Sequence, residues 1–593
     1  MRKKKRIMGA RRKPLAFNTT MRNPARMAQF VSILANYKNQ KLTSDLIFEI
    51  EAQFIRQKVY IPTRRVLGTY KEEGAVDQSP QAAENVSTFF EEWSNSDPLK
   101  NPISVDKVIY LLKNTITKHK EKGYEPGWES RFQTHISFCN ELGFTYIAKD
   151  RPIRISATGE LLISKYKDGF PLDEYDSDPE HTAYLNAFAK YQTNNPWRRN
   201  TVCVNFLYLF LSTVKYLDEK YDSKGVSRKE LPFFIVWPDN NYKKLAKYIN
   251  DFRKVEGNRP SDEVVYDYAL NILDESPHDI FGRVSTEFKK KKSRDYKFEK
   301  ITRETPDDVI RKLRQSQTIS FRGAGFRLDI NHFEDEKVNH IISNYGVNQT
   351  FSEDFDNYFK YMGTLDPDLE FTSEHLSEEK KQKISDVRIK VVNDWADNWS
   401  WDQLKNEIGI ASRTNSESKD KILREINRPT RLEFLAAIIM QKSLSNVQVI
   451  PHYKVDDEGI PYDTASGGSK NNIGTDIDVI ELDTKTHALL EPTVSAAGSF
   501  QAEHELPSIT KHIINTVKSE SSEEDFVEHK RHFAIFLAGK ITEGVGTEVA
   551  VRRYVSHVEI YPWETDDYVD FAKKVKKLND YAVIRKYAEP QVL

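Results

Sequence analysis

Apolar residues first recur at helical spacing in "SDLIFEIEAQFIRQKVY" (Ser44 to Tyr60), where Leu46, Ile47, Ile50, Phe54 and Ile55 share a face. Ser44 is the expected N-cap of that helix. Further helices are predicted near 83–95 and 104–120. The pattern then changes within a short span. An amphipathic helix ends near Gly143, "FTYIA" and "IRIS" alternate as strands about the turn "KDRP", and a new helix opens after Ser156 or Thr158. Helix, two strands, helix is the order of a winged helix, and equally of any small α+β unit. From about 181 to 254 very apolar helical stretches such as "NFLYLFLSTVKYL" predict buried core. Around 306–345 the helix–hairpin–helix order recurs, with Gly323 and Gly325 bracketing the turn. Residues 350–420 are acidic and helix-prone and read as a linker. From 428 to about 562 apolar strands alternate with turns and helices, as in an α/β domain.

Composition narrows this picture. A chain of 593 residues supports several domains. Hydrophobic content of 38% and aromatic content of 11% supply real cores and exclude wholesale disorder. No run approaches the roughly 20 apolar residues of a membrane span. The N-terminus has no apolar signal-peptide core. Cys139 and Cys203 cannot build a disulfide framework, and a reducing cytoplasm is expected. No fixed-period repeat points to a solenoid. The net charge of −1 conceals a basic arm: the first 26 residues hold ten Lys/Arg and no acid. That arm is either a solvated tail or a phosphate-seeking one, since lysines and arginines near a duplex release condensed counterions. A second basic run covers Lys289 to Lys300.

The chemistry concentrates in the C-terminal α/β region. Arg428 to Leu444 is an amphipathic helix, and Thr430 and Glu433 have the spacing of a capping box, so Glu433 has a bland explanation ready. "VQVIPHYKV" reads as a strand, followed by a Gly/Asn-rich loop to Gly474. "DIDVIEL" and "HALLEPT" then form a hairpin by pattern. Alternation puts Asp476 and Asp478 on one face, and Glu491 on the second strand can approach one of them. Such carboxylates suit a hard cation such as Mg²⁺, which polarises a phosphoryl oxygen. Glu505 can add a carboxylate, and Lys511 or His512 a charge or proton relay. Helix, strand, hairpin, helix, strand, helix, strand is the order of a PD-(D/E)xK nuclease core. The usual lysine is missing, because Thr493 stands two residues after Glu491.

The stretch "GTDIDVIELDTKTHALLEPTVSAAGSFQAEHELPSITKH" resembles the catalytic region of AlwI-type type IIS restriction endonucleases and the related BstNBI group of nicking enzymes. In that family E-x-T replaces E-x-K, which Glu491-Pro492-Thr493 matches; Glu505, Lys511 and His512 match the elements that follow. The family's early helix glutamate falls on Glu433 and its aspartate on Asp476, with Asp478 the alternative. "FNTTMRNPARM", "PIRISATGELLISKY", "AKYQTNNPW" and "SFRGAGFRLDI" extend the likeness over roughly 16–565.

The resemblance implies a multidomain α+β protein. A basic arm (1–26) precedes DNA-recognition subdomains with winged-helix-like units (27–240 and 241–345), a helical linker (346–420) and a PD-(D/E)xK-like nuclease domain (421–593). It implies binding to a short asymmetric site in double-stranded DNA and Mg²⁺-dependent cleavage a few base pairs outside it, with Mn²⁺ a substitute ion. The expected metal ligands are Asp476 or Asp478, Glu491 and Glu505. Base or backbone contacts are expected from Arg131, Lys149, Arg151, Arg322 and Arg327. One site cuts one strand at a time, so a transient homodimer or small partner subunit is expected, with a cognate DNA methyltransferase in a prokaryotic host. The alternatives are a nicking enzyme and a non-catalytic DNA-binding regulator. The acidic set argues against the regulator.

Overall fold

The structure is a computed structural model and describes residues 13–17, 23–121, 123–172, 176–257, 259–272, 297–372, 376–413, 416–465, 474–484, 486–495, 501–520 and 531–583. Most of the basic arm, the Lys289–Lys300 run up to residue 296, and Lys485 lie outside the described residues. The chain divides into two units: 1–172, 177–318 and 334–371 in the first, and 173–176, 319–333 and 372–593 in the second. Among the described residues no helix is long and apolar enough to cross a membrane.

In the first unit, α1 (Ser44–Arg56) buries the predicted face, but its cap is Thr43 rather than Ser44. Thr43 is extended and its hydroxyl accepts from the Leu46 N–H at 3.2 Å, while Ser44 is already helical. Helix α2 (Trp128–Glu141) stops before Gly143, whose φ is +71°. A side chain at 143 would also meet Met362 Cβ at 2.1 Å, so glycine is needed for both conformation and space. Strands β1 (Thr145–Tyr146) and β2 (Arg154–Ile155) pair antiparallel, and Ser156 caps α3 (Ala157–Leu162). The strands are shorter than their alternation predicts because other partners take the ladder groups. The Asn140 side chain bonds both the N–H and C=O of Ile147, and the Ile153 N–H and C=O pair with Gln40 and Asn39. The apolar stretch after Asn205 forms the buried helix α4 (Phe206–Tyr221). Helices α5 (Thr305–Gln315) and α6 (Asp335–Asn344) belong to this unit, whereas residues 319–333 between them belong to the second.

In the second unit, β3 (Ile319–Arg322) and β4 (Arg327–Ile330) form the predicted hairpin. Its turn holds Gly323, Ala324 and Gly325 all at positive φ. Helices α7 (Glu378–Asn398) and α8 (Trp401–Ser412) come from the predicted linker, and α8 starts with a capping box of Ser400 and Gln403. Helix α9 (Arg428–Ser443) precedes a mixed five-stranded sheet. Its strands are β5 (Val447–Pro451), β8 (Ile477–Glu481), β9 (His487–Thr493), β10 (His532–Ala538) and β11 (Ile560–Glu564), in the order β11-β10-β9-β8-β5. Strands β9, β10 and β11 run parallel, and β8 is antiparallel to both its neighbours.

The run "VQVIPHYKV" is two strands, not one. After Pro451 the chain leaves the sheet, and β6 (Tyr453–Val455) pairs with β7 (Pro461–Ala465). The break is fixed from two sides. Arg388 on α7 donates to the Pro451 carbonyl at 2.5 Å, and the His452 N–H donates to the Asp476 carbonyl at 2.9 Å. Helices α10 (Leu506–Glu520) and α11 (Glu543–Val555) cover the sheet, burying Leu489, Ile509, Ile513, Phe536 and Val545 in one cluster. The Tyr568 hydroxyl of α12 (Thr565–Ala572) donates to the Ala436 carbonyl of α9 at 3.1 Å. Every residue of β9 is buried, as expected for a strand between two others with helices packed on it.

Candidate active site

The hairpin register brings Asp476 and Glu491 together. Ile477 pairs with Leu490, so one step further along Asp476 stands opposite Glu491. Pro492 is tolerated inside this central strand because β8 pairs with β9 only as far as Leu490; beyond it only β10 continues the ladder. Arg428, at the start of α9, pins this end of β9 by donating to the Val494 carbonyl at 3.0 Å and to the Ala411 carbonyl at 2.9 Å.

Glu433 is buried on α9, and it does not cap its helix. The N-cap is Asn427, Thr430 lies inside the first turn with its hydroxyl unpartnered, and the Glu433 Oε2 instead accepts from the Ala465 N–H at 3.3 Å. Burial pushes the Glu433 carboxyl well above the usual carboxylate range, the Ala465 hydrogen bond opposes this, and the charges of Asp463 and Glu491 add to it. Asp476 is also pushed well up, by burial and then by Glu433, Glu491 and Glu505. Glu505 is raised by burial, and Glu491 raises it further. Four carboxylates from α9, the strand entry at 476, β9 and the residue before α10 therefore repel one another in a desolvated place.

Two polar side chains set the orientation of this group. The Thr493 hydroxyl donates to Glu505 Oε1 at 2.7 Å and accepts from the Ser495 N–H at 3.1 Å. His512 Nδ1 lies 2.9 Å from Glu491 Oε1, and its Nε2 lies 3.2 Å from the Ser508 hydroxyl one turn earlier. Gly474, at φ +89°, passes so close that a side chain there would sit 2.8 Å from His512 Nε2. Lys511 is exposed on the same helix.

Asp478 shares a face with Asp476 but has a different environment. Its two oxygens lie 2.7 Å from His452 Nε2 and 2.7 Å from His487 Nε2. Burial would raise its pKa, but the two imidazoles outweigh that and hold it at about 2. His487 Nδ1 in turn meets Glu520 Oε1 at 2.7 Å, and His532 Nε2 meets Glu520 Oε2 at 2.8 Å. Sequence reasoning missed this histidine network. Its one sequence trace is a histidine at the first position of each of two strands, His487 and His532.

The residues expected to read DNA fall into two groups. Arg131 is held internally: its guanidinium donates to the Tyr60 hydroxyl at 2.5 Å, contacts His119 and lies over the Tyr60 ring. Lys149 pairs with Glu129 at 2.9 Å, and Arg322 with Asp457 at 2.7 Å and with Glu458. Arg151 is exposed in the β1–β2 turn, and Arg327 is half-buried at the start of β4.

A family model described as AlwI restriction endonuclease matches residues 140–393 and 372–570. No curated protein matches the chain. Among solved structures, the small subunit of the heterodimeric restriction endonuclease R.BspD6I aligns at 16% identity and a TM-score of 0.21, over 31% of this chain and 77% of its own. Restriction endonuclease FokI bound to DNA aligns at 9% identity and a TM-score of 0.23, over 95% of each chain. A second structure of FokI gives 12% identity, with the same coverage and TM-score. The family match spans most of the chain and carries the assignment.

Proposed function

We propose, because this chain belongs to the AlwI restriction endonuclease family, that it is a Mg²⁺-dependent type IIS enzyme. It would bind a short asymmetric sequence in duplex DNA and hydrolyse phosphodiesters a few base pairs outside it. The observation that carries this reading is the set of four carboxylates around Asp476. Their mutual repulsion is relieved by a divalent cation, and a purely oxygen donor set suits Mg²⁺ or Mn²⁺. Asp476, Glu491 and Glu505 are the ligands in this reading, and Glu433 supports them from α9. When bound there, the ion supplies Lewis-acid polarisation of a phosphoryl oxygen and a more acidic attacking water.

The protein's own part is to hold those oxygens still and to exclude bulk water. In E-x-K enzymes a lysine amine stands beside the carboxylates. Here Thr493 fixes Glu505 and His512 fixes Glu491, so the E-x-T motif and α10 divide that work. The single observation favouring Asp476 over Asp478 as ligand is that Asp478 already has an imidazole on each oxygen.

We read the sheet with α9 and α10 as a PD-(D/E)xK core within a nuclease domain at 421–593. The α2–β1–β2–α3 segment is a winged-helix-like reader in a recognition region formed by 27–240 and 241–345, after the arm at 1–26, with the linker at 346–420. Arg151, at the exposed tip of the β1–β2 turn, is the phosphate contact we favour. Arg131, Lys149 and Arg322 have protein partners, so they reach DNA only by exchanging them. Cleavage of both strands calls for a second nuclease domain, from another copy or a small partner subunit. A cognate methyltransferase would protect the host.

Supercoiled plasmid incubated with purified protein and Mg²⁺ tests this. Discrete linear fragments are expected; accumulation of open circles alone would instead establish a nicking enzyme. No cleavage with Mg²⁺ or Mn²⁺ would remove the enzyme reading. Mapping the cut ends gives the offset from the recognition site.

A further inference from the structure

The geometry points to a second metal site in the same unit, a transition-metal site of the Zn²⁺ class formed by His487, Glu520 and His532. It does not rest on the nuclease reading. His487 and His532 are the first residues of adjacent parallel strands and are paired with each other in the register. Both imidazoles are therefore held side by side by the sheet, with ring centroids 5.8 Å apart. Glu520, the last residue of α10, places one oxygen 2.7 Å from His487 Nδ1 and the other 2.8 Å from His532 Nε2. One donor atom from each of the three residues lies within 4.8 Å of the others, which is the spread a single small ion can gather. Two imidazoles and one carboxylate, with water completing the shell, is a donor set that suits Zn²⁺ or Co²⁺ rather than Mg²⁺.

The outer shell supports the same reading. The nitrogen of His487 that is turned away from Glu520 meets Asp478 Oδ1 at 2.7 Å. A carboxylate behind a ligating histidine fixes its ring orientation and raises its basicity. Asp478 is itself braced by His452. The trio is well buried, with His487 7%, His532 10% and Glu520 21% exposed. The rival arrangement is an ion-pair cluster, in which His487 donates through both nitrogens and carries a positive charge. Metal binding at Nδ1 replaces one of those protons. The His487 Nδ1 proton leaves for solvent while its Nε2–H keeps Asp478, and the proton that His532 Nε2 shares with Glu520 is lost likewise or moves to His532 Nδ1.

The site also has a structural use. β9 carries His487 at its start and Glu491 four residues on, about 13 Å along the strand. α10 carries Glu520 at its end and His512 about two turns earlier. An ion joining His487, His532 and Glu520 therefore ties the far end of α10 to the sheet, and so holds the helix from which His512 reaches Glu491.

The test uses untagged full-length protein stripped with a chelator and kept in excess Mg²⁺, so that the acidic group is saturated. Co²⁺ is titrated by visible absorption, then displaced by Zn²⁺, with thermal melts in parallel. One equivalent of Co²⁺ is expected, with absorption bands of a low-coordinate nitrogen-containing site, displacement by Zn²⁺ and a raised Tm. H532A and E520A should each weaken binding more than tenfold, D478N by about 10–100-fold as an outer-shell change, and E491A not at all. No saturable binding in the unaltered protein, equal binding by H532A and E520A, or loss of binding in E491A would each overturn the proposal. If H532A fails to fold, H532Q and D478N decide by the same titration.

Discussion

Asp476 and Asp478 lie two residues apart on one face of the same hairpin, and their environments are opposite. Asp476 faces three glutamates and is pushed well up. Asp478 sits between two imidazoles and is held at about 2. The first arrangement costs stability, whereas the second stabilises the fold. The difference teaches that a carboxylate's role is set by its neighbours across the sheet, not by its place in a motif. Five tests can break or sharpen this contrast.

The largest effect is expected at the acidic end. E491Q or D476N should reduce plasmid cleavage by more than the roughly 10–100-fold that loss of an outer support costs, while leaving DNA binding in a gel-shift assay. Retained cutting by both would move the active site elsewhere. T493V should follow with a loss of about 10–100-fold, because Glu505 loses its donor. T493S, which keeps the hydroxyl, should stay near the unaltered rate. Equal rates for T493V and T493S would detach Thr493 from the chemistry.

Next comes stability, where the two aspartates should diverge in sign. In metal-free protein D476N removes repulsion and should raise the Tm, by roughly 2–4 °C for each kcal/mol relieved in a unit of this size. D478N removes charged hydrogen bonds worth about 1.5–3 kcal/mol each and should lower it. Shifts of the same sign would break the comparison.

The pH dependence separates the same groups. Burial lowers the pKa of His487, but Asp478 and Glu520 outweigh it and raise it from 6.5 to about 9. The stabilisation from a raised imidazole is complete below 6.5 and is lost as pH climbs through 9. Asp478, lowered from 3.8 to about 2, contributes above 3.8 and loses its contribution as pH falls through 2. The raised carboxyls of Asp476 and Glu433 work the other way: metal-free protein loses stability as pH rises through their elevated pKa values. Melts in chelator should therefore improve on mild acidification from pH 9, and Mg²⁺ should flatten that trend. A metal-free Tm that is flat across this range would refute both assignments. The smallest effect is expected from exposed Lys511, where K511A should leave the cleavage rate within a factor of about two.

Much of the second unit was legible because period and register leave local traces. The alternation in "DIDVIEL" and "HALLEPT" defines β8 and β9, and a single face for Asp476 and Asp478 follows from the period of two. The break at His452 was not legible, because it depends on Arg388 from a distant helix and on the Asp476 carbonyl. The capping-box spacing of Thr430 and Glu433 misled for a related reason. The helix begins earlier, at Arg428 after the N-cap Asn427, and Glu433 answers to Ala465 rather than to its own N-terminus.

By itself the sequence determined the element order, the carboxylates available, and the presence of Thr493, not a lysine, two residues after Glu491. Those are properties of composition and spacing along the chain. The tertiary structure alone decided that Asp476 joins Glu433, Glu491 and Glu505, that Asp478 joins the histidines, and that Thr493 and His512 orient the acidic group. Pairing between strands and burial against helices fix which charges share a desolvated space, and residues far apart in the chain supply both.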